Sequence, residues 1–422
     1  MKKLRNVLTL LLVLTMLFSL VACGSPAATA GPTTAGPTTA GPTTDGTTVP
    51  TKTGVLKIGS LAHTTGWFAA IDLNNTYEID SYVKIINEEG GVVIGDTTYT
   101  IELTQADAAS SNEGVRAGAI ALADAGCEYV IETNDFWVVN CQDVFEGDGI
   151  FHISAYCVGF PGYLGPDFPY AFTGANGTYG DFRAAMMAIK ENYPDVKSLV
   201  LCNDDNGGLP GMQHVLEVLG EEMGIDVLDD YIPYTGDTID MTSIATKLVA
   251  SGADCAFTSG SLATVGGVLK EIRNQGSDMV VAASIGQPAQ ALMRISGEDA
   301  ADRAFTIGNP LTAEDNTEIW SKLYNRVVAD YGAEVAATFT GNYANCLHEI
   351  LDVMKKCGSV DVDTVKAAWE ASETVDTLYG PGILGGDTLY GINNHAVANV
   401  TPVSMLVKGK VEFKGWLEVE IP

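Results

Sequence analysis

Six short segments carry the side chains best suited to holding a small molecule: His63 to Trp67, Thr133 to Phe136, Ala155 with Tyr156, Asp204 to Gly207, Ser259 with Ser261, and Gln287. They offer hydroxyls, amides, carboxylates and rings, a set for binding rather than bond-breaking. Trp67, Phe136 and Tyr156 can line an aromatic pocket for a ring or a cationic head, or can pack a core; Trp137, one residue further into a helix, reads as core. Asp135 either pairs with a ligand amine or caps the helix that follows it. Asp204 and Asp205, with Asn206 and Gly207, also have the composition of a turn. His63 either bonds a ligand or is a solvated loop histidine. Catalysis finds no support: there is no GxSxG, HExxH or EF-hand loop, and the histidines at 63, 152, 214, 348 and 395 lie far apart without partners at ligand spacing. VGGVLKE at Val265 lacks both GxGxxG and the P-loop lysine spacing, so no nucleotide, metal or other cofactor is expected.

Such loops need elements to position them. Val55 to Leu61 reads as a buried strand, His63 to Trp67 as a loop, and the next stretch as a helix with Ile79, Val83 and Ile86 on one stripe beside Tyr82, leaving through Gly90 and Gly91. That is the opening of a βαβ unit, whose ligands sit beyond the carboxyl ends of the strands. Helix 112–124, strand 129–131, strand 150–154 and an extended 170–173 continue it into one parallel sheet covered on both faces. A second copy runs from Tyr179: helices over 181–192, 212–224, 241–250 and 263–275, strands over 198–202, 226–231, 254–258 and 279–283. From Ala304 the pattern changes to helices over 317–331, 339–357 and 362–372, and strands 400–407 and 411–418 close the chain.

The order of these pieces carries a resemblance. TTG after the first strand, a helix ending INEEGG, YTIEL with Asp107, then YPYAFTG, VLCNDDNGG and above all GDTIDMTSIATKL resemble the substrate-binding proteins of the branched-chain amino acid (Leu/Ile/Val) class, over almost everything after residue 54. The resemblance implies a type I periplasmic-binding fold: α/β, with two Rossmann-like lobes of parallel sheet joined by a three-segment hinge. The expected lobes are 54–174 plus 308–375 and 175–307 plus 376–422. The hinge is expected near Thr173 to Asn176, Phe305 to Asn309 and Thr374 to Gly380, with glycines 174, 177, 308 and 380 absorbing the dihedral change. It further implies a ligand cleft formed by Thr65, Gly66, Trp67, Thr133, Asn134, Asp135, Phe136, Ala155 and Tyr156 from one lobe and Asn206, Gly207, Ser259, Ser261 and Gln287 from the other. Members that hold an α-amino acid grip its carboxylate with small hydroxyl residues and backbone N–H groups at the second loop, where Thr133 fits and Asp135 would repel. They commonly present a tyrosine before a glycine where this chain has DDNGGLPG, which puts leucine-like specificity in doubt. The implied role is solute capture, for an amino acid or related polar or aromatic metabolite, and delivery to ABC permease subunits. A surface sensor of the same fold is the alternative, and a surface hydrolase a more distant one.

The N-terminus gives an address. MKKLR is followed by an apolar run, Val7 to Phe18, shorter than the roughly 20 residues a membrane span needs, and residues 1–22 read as a secretory signal. LVAC before Gly24 looks like a bacterial lipobox with Cys23 lipidated, which places the protein at the cell surface, anchored to the outer face of the cytoplasmic membrane. AGPTT occurs three times in succession within 23–53, a low-complexity disordered tether without apolar residues large enough to pack. The net charge of −30, more negative once Lys2, Lys3 and Arg5 are removed, argues against nucleic acid as a partner and for a soluble surface. Seven cysteines remain after Cys23, an odd number without zinc spacing, and Cys202 and Cys255 read as buried. A monomer is expected.

Overall fold

The computed structural model describes residues 52–157, 162–205, 208–235, 238–284, 286, 288–308 and 316–422. The expected signal, Cys23 and most of the tether therefore lie outside the described residues, as do Asn206, Gly207 and Gln287. The chain opens with β1 (Lys52–Ala62), α1 (Ala69–Glu88), β2 (Val92–Ile94), β3 (Thr97–Asp107), α2 (Asn112–Asp124), β4 (Tyr129–Asn134), α3 (Asp135–Val138), α4 (Gln142–Asp148), β5 (Phe151–Tyr156) and β6 (Ala171–Thr173). A second series follows: α5 (Gly177–Asn192), β7 (Ser198–Asp204), α6 (Leu209–Met223), β8 (Asp226–Val227), β9 (Ile232–Tyr234), α7 (Thr242–Ser251), β10 (Cys255–Thr258), α8 (Leu262–Asn274), β11 (Val280–Ala283), α9 (Ala289–Ser296) and β12 (Ala304–Thr306). The last series is α10 (Glu318–Tyr331), α11 (Ala333–Ala336), α12 (Asn342–Cys357), α13 (Val362–Glu370), β13 (Thr374–Thr377), β14 (Gly380–Gly385), α14 (Asp387–Tyr390), β15 (Ala396–Ala398), β16 (Thr401–Val407) and β17 (Lys410–Leu417).

These strands make two sheets, of order β13-β14-β15-β6-β5-β4-β1-β3-β2 and β17-β16-β12-β11-β10-β7-β8, with β9 also paired to β7. Their centres are parallel; both margins of the first sheet and the β16–β17 margin of the second are antiparallel, while β8 and β9 pair with β7 in parallel. Successive residues of a strand point to opposite faces, and both faces are covered. In β7, Leu199 and Leu201 enter the core beneath α5 and α6, while Val200 and Cys202 enter the core beneath α7, α8 and α9. The first sheet is likewise wrapped, by α1, α10, α12 and α13 on one side, where Ile58, Ile79, Trp320 and Trp369 cluster, and by α2, α3 and α4 on the other, around Val115, Trp137 and Phe145. Each such large side chain, fully buried, contributes about 2–3 kcal/mol.

Two expectations about boundaries change. The first strand begins at Lys52 rather than at Val55, because Lys52 and Thr53 find partners in Thr97 and Thr98. The third passage between sheets falls at Asn399 and Val400, not at Thr374 to Gly380. TVDTLYGPGILGG has the glycine and proline content of a hinge but pairs as a hairpin, β13 against β14, and β15 then joins β6 at Thr173. Residues 376–398 thus belong to the first sheet, only β16 and β17 go to the second, and Gly380, with φ of +117°, opens the second strand of that hairpin rather than a hinge.

Side chains lace the passages together. The Asn345 and Asn399 amides both donate to the Gly174 carbonyl (3.2 and 3.0 Å), and the Asn176 amide takes the Asn399 N–H at 2.5 Å while donating to the Thr401 hydroxyl at 2.7 Å. A Cβ on Gly174 would lie 2.5 Å from Glu349 Oε2, so this position admits only glycine without rearrangement.

Candidate ligand-binding site

The chain leaves the first sheet at the carboxyl end of β6 and, after three residues, enters α5 of the second; it leaves the second sheet at the carboxyl end of β12. The carboxyl edges of both sheets therefore flank the same crossings. Loops on those edges share the space beside the hinge.

On the first sheet, the loop after β1 is held from beneath by the loop after β3. Asp107 accepts from the Thr64 and Thr65 N–H groups (2.9 and 3.2 Å), the Thr65 hydroxyl (2.6 Å) and the Ala109 N–H (2.8 Å). Burial pushes its carboxyl up, but these donors outweigh burial and hold it at about 2, so it stays ionised. Ser110 closes the join: its N–H donates to His63 Nδ1 (2.9 Å), and its hydroxyl donates to the Thr65 carbonyl (2.8 Å) and accepts from the Phe68 N–H (3.0 Å). Ala109 and Ser110 both adopt φ near +50°, which L-residues rarely do, and a Cβ on Gly66 would collide with the Ser110 side chain at 2.5 Å. The strained, cross-bonded pair of loops fixes the backbone under Trp67.

Trp67 is 57% exposed. Behind it stand Phe68 at 5.2 Å and Trp137 at 6.1 Å between ring centroids, and Phe136 packs on Trp137 at 4.9 Å. Trp67 and Phe136 thus belong to one aromatic cluster, of which Phe68 and Trp137 are the buried part. His63 is wholly buried between Phe68 and Trp137, and burial lowers it to about 4, so it is not a solvated loop histidine. Beside this cluster a groove of about 640 Å³ runs between the start of α2 and α3, lined by Ser111, Asn112, Glu113, Phe136, Trp137, Val139 and Asn140.

The loop after β4 turns inward. The Thr133 hydroxyl is buried and donates to Asp72 at 2.6 Å, while Asn134 caps α3 by accepting the Phe136 N–H at 3.1 Å. Asp135 is buried too, accepting the same N–H at 2.9 Å and the Cys157 thiol at 3.4 Å. Ala155 is buried; Tyr156 is half-buried, and its hydroxyl accepts from the Asn75 amide at 2.7 Å, away from the Trp67 cluster. Sequence reading missed Asp72, Asn75 and Glu78, three residues apart on α1, which face these loops and α12. Glu78 accepts the Thr340 and Gly341 N–H groups (3.1 and 2.7 Å), and burial lifts it to about 8. Their threefold spacing beside the apolar stripe was the available signal.

On the second sheet, Asp204 ends β7 half-buried, its carboxyl raised by burial, while the exposed Asp205 donates its N–H to the Tyr234 carbonyl at 2.8 Å. Ser259 is half-buried just past β10. Ser261 caps α8, accepting the Thr264 N–H. Between them Gly260 lies against Tyr234, whose hydroxyl a Cβ would meet at 1.7 Å. No group of metal ligands occurs among the described residues.

Residues 55–405 match the sequence model of the periplasmic binding protein family. The chain belongs to that family. Its fold is shared by solved structures of low identity: the branched-chain amino acid transporter substrate binding protein of Streptococcus pneumoniae in complex with isoleucine (15% identity, TM-score 0.65, covering 87% of this chain and 100% of that one); a solute binding protein of an ABC transporter from R. palustris in complex with benzoate (17%, 0.66, 87% and 97%); and a fatty acid ABC transporter substrate-binding protein from Thermomonospora curvata (16%, 0.65, 89% and 94%). Among curated proteins none matches the sequence. As a periplasmic binding protein the chain has the type I architecture, two lobes of mostly parallel sheet. No described helix is long and apolar enough to cross a membrane.

Proposed function

We propose that this periplasmic binding protein is an extracytoplasmic solute receptor that captures a small molecule between its lobes and delivers it to an ABC permease without catalysing a reaction. The observation that carries the reading is topological: both sheets present their carboxyl edges to the same hinge, with the Trp67 cluster on one and Asp204, Asp205, Ser259 and Ser261 on the other. A ligand touching both edges binds the closed arrangement better than the open one and shifts the hinge equilibrium by that difference. The ligand class is an amino acid or a related polar or aromatic metabolite. The chain works as a monomer, tethered through lipidated Cys23.

A thermal-shift screen of small solutes against the full chain, followed by small-angle scattering with any hit, tests this. A hit is expected to raise the melting temperature and to reduce the radius of gyration. Failure of every solute to do either would remove the receptor reading.

A further inference from the structure

The two carboxyl edges have a one-sided electrostatic character. Among the described residues that leave the carboxyl ends of the parallel strands, 63–68, 108–111, 135–141, 157, 162–170, 174–176, 205, 208, 235, 238–241, 259–261, 284, 286, 288, 307–308 and 316–317, there is no lysine or arginine. They do include Asp135, Asp167, Asp205 and Asp240, and Asp107 and Asp204 end the strands beside them. Lys197 and Arg303, by contrast, sit at the amino ends of β7 and β12. An anionic solute would meet no cationic side chain from the described residues of these loops.

Backbone N–H groups are the other way to hold an anion, and here the chain fills them itself. Asp107 takes those of Thr64, Thr65 and Ala109; Asn134 and Asp135 take that of Phe136 at the start of α3; Ser111 and Ser261 take those of Gly114 and Thr264 at the starts of α2 and α8. Asp107 is held ionised, so its N–H cluster carries negative charge already. What the first edge does offer is an exposed indole, Trp67, braced from behind by Phe68 and Trp137 and from below by the Ser110 join. An indole face attracts cations more strongly than any other aromatic side chain.

We propose that the solute held here, within that class, is a net cation with an ammonium head and no carboxylate, seated against Trp67 and opposed by Asp204 and Asp205 of the other edge. This deepens the receptor reading and rests on it. The same acidic edges repel carboxylates, so selection against anions is built into the loops rather than added by one residue.

Isothermal titration of the full chain with two cations (tryptamine, choline), two anions (benzoate, phenylacetate) and two zwitterions (isoleucine, phenylalanine) tests it, at low and at high salt. At least one cation is expected to bind more tightly than all four others, with affinity falling as salt rises. Trp67→Ala is expected to weaken that binding about tenfold. Trp67→Phe should retain most of it, and Asp205→Asn should weaken it several-fold. Because Trp67 and Asp205 are exposed, these variants are expected to fold, which their melting temperatures check. If an anion or a zwitterion binds most tightly, the cation assignment falls while the receptor reading stands. Cation binding indifferent to Trp67→Ala would overturn the proposed seat. Should none of the six bind while the solute screen yields an uncharged or anionic hit, the assignment is likewise overturned, and with no hit at all both readings fall together.

Discussion

Asp72 lies wholly buried between the first ligand-edge loop and β4, its Oδ2 accepting the His63 N–H at 2.9 Å and the Thr133 hydroxyl at 2.6 Å. Burial lifts its carboxyl to about 7 against the pull of those donors. A folded-state value above that of an unfolded aspartate means the folded chain binds the extra proton, so this group's contribution to stability declines as pH rises from about 4 through 7. Asp72→Asn keeps an acceptor for both donors and abolishes the ionisation. It is expected to stabilise the protein at pH 8 by roughly 1–3 kcal/mol and to have little effect at pH 4, as read by chemical denaturation at the two pH values. Equal effects at both would show that ionisation of Asp72 plays no part. Thr133 shows why such a residue escapes sequence reading. A hydroxyl at the end of a strand in a ligand-binding fold is equally suited to a solute or to a neighbouring side chain, and the deciding partner lies 61 residues away.

At the scale of elements, β4, β5 and α4 are joined by a cluster of four polar side chains. His152 Nδ1 is 2.8 Å from Glu132, its Nε2 is 3.2 Å from Glu146, and the Tyr163 hydroxyl donates to the same Glu132 oxygen at 2.9 Å. Burial pulls the imidazole down, but the two carboxylates prevail and hold it at about 9. A histidine raised in the folded state stabilises fully below about 6.5, and that contribution is lost as pH rises through 9. His152→Gln leaves a buried carboxylate without its cation and is expected to destabilise the protein by about 3 kcal/mol at pH 6 and clearly less at pH 10. Urea midpoints at both pH values check this, and a loss that does not shrink with pH would mean the imidazole is uncharged. Elements of this kind were largely legible: β1, α1 and the repeated strand–helix order follow from apolar periodicity. The hairpin β13–β14 was not, because Gly380, Gly382 and Pro381 have the composition of a hinge, and only pairing across to β15 and β6 makes them sheet. Asp226 to Tyr231 fared similarly: of this run, read as one strand, only Asp226 and Val227 pair, as β8, and the next strand, β9, starts beyond it at Ile232.

At the scale of the molecule, neither sheet is built from one continuous stretch. The first needs α10, α12, α13 and β13–β15 from the last third of the chain, and the second needs β16 and β17 to cover β12. A chain ending at Ala398 would expose the β12 edge and remove Val403 and Met405 from the core beneath α5. It is expected to aggregate on expression where the full chain is soluble, and a soluble, monomeric truncation with an unchanged melting temperature would contradict that. A chain cut short of its last strands leaves part of each sheet uncovered, and such an unfinished chain is the form most open to proteases.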